Sequence, residues 1–105
     1  MKVNNVYLNL FYVLDAEYDR NPTEELAIVL GGMNPFAFVD RRSAVPDYYD
    51  DFEKLFKQKF GSLEDDISLE DAYYFCAEYL KIFKYEEELR LFKKVSEEEW
   101  ADTLK

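Results

Sequence analysis

Apolar side chains recur along the first part of the chain at the three- and four-residue spacing that marks one face of a helix. Further apolar residues flank this face, so we expect a helix that its neighbours enclose on several sides. A buried strand over residues 6–14 is the alternative, and it is disfavoured because β-branched residues are scarce there. The residues of the helical face are Val3, Val6, Tyr7, Leu10, Phe11 and Leu14.

A second helix is predicted to begin at an asparagine-proline pair. Asn21 is the expected N-cap and Pro22 the first helical residue, because the fixed φ of proline suits that position. Two glutamates follow in the first turn, where the helix dipole favours acids. The glycine pair Gly31-Gly32 is expected to end the helix.

A third helix is predicted between the proline at position 46 and Gly61. Residues 33–43 before it lack a helical period, and Asn34-Pro35 marks a turn, so we expect an extended connection that packs inward. Acids at the start of the helix and lysines at its end match the helix dipole. Its apolar side consists of Tyr48 or Tyr49, Phe52, Leu55, Phe56 and Phe60.

Ser68 is the expected N-cap of a fourth helix, which acidic first-turn residues follow. No glycine or proline occurs after Gly61, so the sequence leaves open whether this helix breaks near Tyr85 or continues to Val95; we expect a bend or a short break. The predicted inner face consists of Leu69, Ala72, Tyr73, Cys76, Tyr79 or Leu80, and Phe83.

The sequence Ser96-x-x-Glu99 is a capping box that predicts a last short helix, with Trp100 and Leu104 facing inward. The chain has 105 residues, of which 49% are apolar, enough for a single core. The predicted fold is therefore all-α, a compact single-domain bundle of four to six helices over residues 1–105.

The chain is strongly acidic, with 13 Lys and Arg against 23 Asp and Glu, a net charge of −10. Such a charge repels nucleic acid and anionic membranes, and it attracts a basic protein partner. The alternative is that acidity only keeps the protein soluble.

The charge is unevenly distributed: residues 1–61 have ten acids and seven bases, a net of −3, and residues 62–105 have thirteen and six, a net of −7. Three acidic clusters carry much of the excess, and each is expected to be a solvated helix start or turn, unless two of them converge into one acidic surface. The clusters are Glu64-Asp65-Asp66, Glu86-Glu87-Glu88 and Glu97-Glu98-Glu99.

The residues required for most catalytic chemistry are missing. There is no histidine, which excludes Ser-His and Cys-His mechanisms and removes a preferred ligand of zinc and copper. Cys76 lies on an apolar helix face and is predicted to be a core residue. Asp47, Asp50 and Asp51 share a helix face, but this spacing alone is a weak signal for a hard cation. We therefore expect a protein that is not an enzyme and has no cofactor.

A single cysteine allows no intramolecular disulfide, so a reducing cytoplasm is the expected compartment. The apolar run over residues 6–14 is interrupted by Asn9 and followed by acids, which is not typical of a signal peptide. No stretch approaches the roughly 20 apolar residues of a membrane span.

Tyrosines occur as two adjacent pairs, Tyr48-Tyr49 and Tyr73-Tyr74. Neighbouring residues of a helix cannot both face inward, so one tyrosine of each pair is expected at the boundary or on the surface. Exposed tyrosine beside acids is typical of protein interfaces. The candidate partner-binding residues are Asp47, Tyr48, Tyr49, Asp50, Asp51 and Tyr74.

The middle of the chain contains the pattern Asn34-Pro35-Phe36-x-Phe38-x-Asp40-x-x-Ser43-Ala44-x-Pro46-x-x-Tyr49-x-x-Phe52. This pattern resembles one found in small acidic bacterial proteins encoded among toxin and immunity genes. The likeness covers less than a third of the chain and contains no catalytic signature. A purely structural role is the alternative interpretation, in which the prolines set turns and the phenylalanines anchor the connection to the core.

Residues 47–51 are also similar in style to colicin-type DNase immunity proteins, which are small, acidic and four-helical and use paired tyrosines beside acids to bind a basic nuclease. This chain is longer and lacks the rest of their pattern, so homology is not inferred. The resemblance implies a stoichiometric inhibitor that occludes a cationic toxin domain.

The leading hypothesis from the sequence is an acidic protein-binding domain without enzymatic activity, specifically an immunity-type inhibitor. The alternative from another class is a homo-oligomeric structural or regulatory protein that associates through its aromatic surface. A metal-dependent enzyme using the aspartates of residues 47–51 is the third hypothesis.

Overall fold

The computed structural model describes residues 1–34 and 46–102, and these residues form six helices without any strand. The helices are α1 (Val3–Arg20), α2 (Glu24–Met33), α3 (Pro46–Phe60), α4 (Leu69–Ile82), α5 (Glu86–Phe92) and α6 (Glu97–Asp102). The predicted all-α bundle is therefore confirmed. The expected extended connection and most of the segment that carries the resemblance lie outside the described residues, as does Leu104.

Helix α1 is the centre of the bundle and packs against α2, α3, α4 and α5. Every residue of the predicted apolar face is buried, and Val13 on its flank is buried as well. The prediction of an enclosed helix is confirmed, and the alternative strand is wrong. The helix continues to Arg20, beyond the predicted face, and its last turns bury Glu17, whose carboxylate pairs with Arg20.

The predicted start of α2 is wrong by two residues. Thr23, not Asn21, is the N-cap: its backbone is extended, and its hydroxyl accepts a hydrogen bond from the amide of Leu26 at 3.2 Å. This bond satisfies one of the amides that lack a partner within the helix. The two glutamates do lie in the first turn, as predicted.

The glycine pair does not end α2, which continues through it to Met33. The hydroxyl of Tyr7 on α1 donates to the carbonyl oxygen of Met33 at 3.1 Å and holds this last turn against the bundle. The ring of Tyr48 lies against Gly32, where a Cβ would come within 2.6 Å of Tyr48 Cε2. Gly32 is thus explained by close packing against a ring and not by a helix end.

Helices α3 and α4 run antiparallel and meet along an aromatic seam. The ring of Phe52 contacts the edges of Phe75 and Tyr79, with centroids 5.0 and 4.9 Å apart. One turn later Phe56 contacts Phe75 at 5.4 Å. Gly61 ends α3 with φ of +88°, as predicted, because glycine adopts this left-handed conformation without a steric cost.

Ser68 caps α4 as predicted, since its hydroxyl accepts from the amide of Asp71 at 3.0 Å. The prediction that Leu69 faces inward is wrong: it is 43% exposed, and Ile67 enters the core in its place. The other predicted inner residues are buried or half-buried, and Phe75 joins them.

The expected break between α4 and the last part of the chain is present. Helix α4 ends at Ile82, and Lys84 takes a left-handed conformation with φ of +61°. The amide of Tyr85 donates to the carbonyl oxygen of Leu80 at 2.9 Å, and α5 begins at the next residue. The turn thus redirects the chain within three residues.

The last helix begins where the capping box predicts. The hydroxyl of Ser96 accepts from the amide of Glu99 at 3.1 Å, and Trp100 is completely buried. The indole of Trp100 donates to the carbonyl oxygen of Leu69 at 3.1 Å, and its own carbonyl oxygen accepts from the side-chain amide of Asn9 at 3.1 Å. Through these two bonds α6 is attached to both α4 and α1.

Candidate partner-binding surface

The two tyrosines at the start of α3 are committed to packing inside the protein. Tyr49 is 5% exposed, and its ring meets the edge of Tyr7 with centroids 5.1 Å apart. Tyr48 is half-buried and stacks on Tyr85, with centroids 5.8 Å apart and ring planes at 13°. One member lies in the core and the other at its boundary, as predicted, but the burial of Tyr49 leaves it almost no area for a partner.

The aspartates near these tyrosines are only partly accessible. Asp50 and Asp51 are half-buried, and the side chain of Asp47 lies outside the described residues. The pKa of Tyr85 is raised, mainly by burial and in part by the Asp51 carboxylate. Asp51 therefore lies near the stacked rings of Tyr48 and Tyr85. Among residues 1–34 and 46–102, no three acids or cysteines lie close enough together to hold a metal ion.

Tyr74 is the predicted contact residue that the structure places on the surface. It is 55% exposed, and its ring contacts the edge of Tyr73 at 5.3 Å. Tyr73 is the inner member of the pair, because it stacks on Phe92 at 5.1 Å and donates its hydroxyl to the carbonyl oxygen of Val95. Tyr74 is therefore the outer member of the pair and lies on the exposed surface of α4.

Acids surround Tyr74 on the first turns of α4. Glu70 and Asp71 are exposed and lie four and three residues before it, which places all three side chains on one helix face. The exposed Leu69 precedes them. This combination of apolar, aromatic and acidic side chains was missed at the sequence level, although the spacing Glu70-Asp71-x-x-Tyr74 is visible in the sequence.

Two of the three acidic clusters lie near this face. The bond from Trp100 to the carbonyl of Leu69 brings the start of α6 to the start of α4, and the loop of residues 64–66 leads directly into α4. We call this surface the acidic end. It consists of the exposed Leu69 and Tyr74 and of seven exposed acids on the starts of α4 and α6 and on the loop before α4, namely Glu64, Asp65, Asp66, Glu70, Asp71, Glu98 and Glu99.

Some of the charge of the acidic end is balanced within the protein. The ammonium group of Lys2 donates to the carbonyl oxygen of Glu64 at 2.6 Å and lies 3.5 Å from the Asp66 carboxylate. Both side chains of that ion pair are well exposed, so it contributes little stability. The N-terminal ammonium group of Met1 also lies 3.9 Å from the Asp66 carboxylate. Both of these cations act on Asp66, which is one of the seven acids.

The third acidic cluster, Glu86-Glu87-Glu88, was expected to be solvated, and this prediction is wrong for Glu88. Glu86 is exposed, but Glu88 is completely buried, and neither of its carboxylate oxygens has a hydrogen-bond partner among the described residues. The sequence carries a signal for this burial: Glu88 lies three and four residues before the buried Leu91 and Phe92, and so shares their helix face.

Cys76 is a core residue, as predicted. It has no exposed surface, and burial raises the pKa of its thiol well above the ordinary value. A thiol held in its neutral form is a poor nucleophile. The structure thus offers no reactive thiol at this position.

Compared with protein-family models, curated proteins and solved structures, the chain matches none of them. Within the residues that the structure describes, no helix has the length and apolar character needed to cross a membrane.

Proposed function

We propose that this protein is an acidic protein-binding domain without enzymatic activity. Specifically, it is an immunity-type inhibitor that acts in the bacterial cytoplasm and masks a cationic toxin domain. The observation that carries the proposal is the acidic end, where the exposed Tyr74 and Leu69 lie among seven exposed acids. The contact surface that we propose therefore centres on the starts of α4 and α6, whereas Asp50 and Asp51 are half-buried on α3.

The physical logic of such a surface has two parts. A negative surface attracts a cationic partner over a range of about 10 Å at moderate salt and accelerates its approach. After contact, a tyrosine ring supplies rigid apolar area and a hydroxyl, which makes Tyr74 the expected anchor of the interface. The acids of α4 and α6 then pair with basic side chains around this anchor.

The proposal is tested by capture of partners from a lysate of the native host. We expect a basic protein that is retained at low salt and released at about 0.5 M salt, because screening weakens the charge contacts. Mass spectrometry identifies the protein, and titration calorimetry measures its affinity.

Three variants locate the surface. Tyr74→Ala and Asp71→Lys are expected to weaken binding by about 10-fold or more, the effect of losing an anchor or reversing a central charge. Asp15→Lys is the matched control, since Asp15 is also exposed, makes the same charge change and lies on α1, which contributes no acid to the acidic end. No basic partner, binding that is indifferent to salt, or equal effects of Asp71→Lys and Asp15→Lys would each count against the proposal.

A homo-oligomeric structural or regulatory protein is the second candidate. The observation in its favour is that Ile28 on α2 and Ile82 on α4 are strongly exposed, at 65% and 48%, outside the acidic end. A net charge of −10 on each copy opposes this association. Light scattering distinguishes the two functions, because a monomer at high concentration rules out the oligomer.

A further inference from the structure

Glu88 is a carboxyl group that the structure places in the interior without a partner. Its side chain has no exposed surface, and neither oxygen accepts a hydrogen bond from any described residue. An ionised carboxylate in such surroundings is costly, and a buried group avoids the cost by remaining neutral. Proton binding at this position is therefore coupled to the packing around it.

The position of Glu88 follows from the way α5 is anchored. Leu91 and Phe92 are buried and lie three and four residues after it, so the helix face that packs on the bundle includes Glu88. At the start of the helix, the ring of Tyr85 stacks on Tyr48. With anchors at both ends, α5 cannot turn Glu88 toward water without losing apolar contacts.

The charges that act on Glu88 are acidic. From α2 the Glu25 carboxylate faces it, and from α5 itself Glu87 does, although Glu87 is paired with Arg90 at 2.6 Å. The hydroxyl of Tyr85 also lies near Glu88, because the Glu88 carboxylate contributes to the raised pKa of Tyr85, of which burial is the main cause.

Among the described residues, no cation on α4 or α1, the other two helices packed against α5, acts on the pKa of Glu88. Helix α4 contributes Tyr79, whose ring meets Tyr85 at 5.8 Å. On helix α1 the buried acid is Glu17, and its carboxylate is paired with Arg20 at 2.8 Å.

We propose that Glu88 is a proton-operated switch at the seam between α2 and α5: protonated, it allows α5 to pack closely, and ionised, it loosens the start of α5 from α2. The moving element is the first turn of α5 together with Tyr85. The stack of Tyr85 on Tyr48 makes the start of α3 the next part of the protein to respond.

The direction of the effect follows from proton linkage. Burial, followed by the Glu25 carboxylate, raises the pKa of Glu88 from an ordinary 4.5 to about 7. The Glu87 carboxylate adds to this rise, and the polar backbone amide of Glu88 itself opposes it without forming a hydrogen bond to either oxygen. Between these values the folded protein holds a proton that the unfolded chain has lost. The stability that this proton provides is complete below the lower value and is lost as the pH rises through about 7.

The experiment combines a direct titration with unfolding at two pH values. Carbon-13 NMR of the side-chain carboxyls, assigned through bonds from the backbone, is expected to show Glu88 titrating near neutrality. Urea unfolding at about pH 5.5 and about pH 8.5 is then compared for the natural chain, Glu88→Gln and Glu99→Gln. The last is the matched control, because Glu99 has the same place in the other glutamate triplet and is exposed.

From about pH 5.5 to about pH 8.5, the unfolding equilibrium constant is expected to rise by a factor that is roughly 30 times larger for the natural chain than for Glu88→Gln. A shift of the Glu88 pKa from 4.5 to about 7 requires this difference. Glu99→Gln is expected to follow the natural chain. Amide hydrogen exchange in α5, corrected for its intrinsic pH dependence, should accelerate relative to α1 at the higher pH. Titration of Glu88 below about pH 5, or the same pH dependence in Glu88→Gln as in the natural chain, would overturn the proposal.

Discussion

Helices α5 and α6 both open with three consecutive glutamates, yet the two triplets have opposite surroundings. In α5 the third glutamate, Glu88, is completely buried, while in α6 the third glutamate, Glu99, is exposed. The helix dipole favours acids in both first turns. Identical residues with an identical local preference therefore become an interior group in one helix and a surface group in the other.

The difference arises from the apolar residues that follow each triplet. In α5 the buried residues lie three and four positions after Glu88, on the same face. In α6 the buried Trp100 directly follows Glu99, about 100° around the helix, so Glu99 is turned away from the core. The caps also differ: the side chain of Ser96 caps α6, and the residue before α5, Tyr85, makes no side-chain cap bond. The orientation of a short helix is thus set by its anchors, and the acids take whatever position remains.

The largest change in stability is expected when Trp100, the residue that anchors α6, is removed. Trp100→Ala is expected to lower the free energy of unfolding by about 4 kcal/mol, because a completely buried indole leaves a cavity. Urea unfolding followed by circular dichroism measures the change. Trp100→Phe is the control that keeps most of the packing but loses the bond to Leu69, and it should cost clearly less. A loss below about 1 kcal/mol for the alanine variant would mean that α6 is not anchored through this residue.

The contact of Tyr48 with Tyr85, the residue before α5, is tested at the glycine pair of α2, because Gly32 lies against the Tyr48 ring. Gly32→Ala places a Cβ about 2.6 Å from a ring carbon of Tyr48, and that ring also stacks on Tyr85. We expect a loss of about 1–3 kcal/mol. Gly31→Ala meets open space and should instead raise stability by roughly 0.5–1 kcal/mol, since alanine is the better helix former. Thermal or urea unfolding of the two variants gives the comparison, and a tolerated Gly32→Ala would show that Tyr48 moves aside at no cost.

The cap of α6 provides the smallest of the expected changes. Ser96→Ala removes the bond to the amide of Glu99 and should cost about 1 kcal/mol. Glu98→Ala, at an exposed position of the same turn, is expected to stay within about 0.5 kcal/mol of the natural chain. Equal effects of the two variants, measured by urea unfolding, would indicate that the packing of Trp100 alone positions this helix.

Much of the fold is predictable from the sequence, because its signals are local. The apolar period of α1, the caps Ser68 and Ser96 and the left-handed Gly61 each depend on residues within one or two turns. The errors arise where distant parts meet. The glycine pair lies inside α2, and Gly32 is explained by Tyr48 from another helix, whose ring occupies the space that a side chain at position 32 would need.

The candidate surface was predicted in part. The exposure of one tyrosine in each pair follows from helix geometry, and Tyr74 is the exposed one on α4. The sequence could not indicate that Tyr49 fills the core against Tyr7, because that contact joins residues more than forty positions apart. Nor could it reveal that a tryptophan bond brings the acids of α6 to those of α4.

Cys76 gives this molecule a built-in chemical reporter. The chain has one cysteine, and its thiol is enclosed at the centre of the bundle. A thiol reagent can therefore modify the protein only in moments when the core opens, and each modified molecule records one such event. The labelling rate of unmodified protein measures how often the core around Cys76 opens, in a single experiment that needs neither denaturant nor an introduced probe.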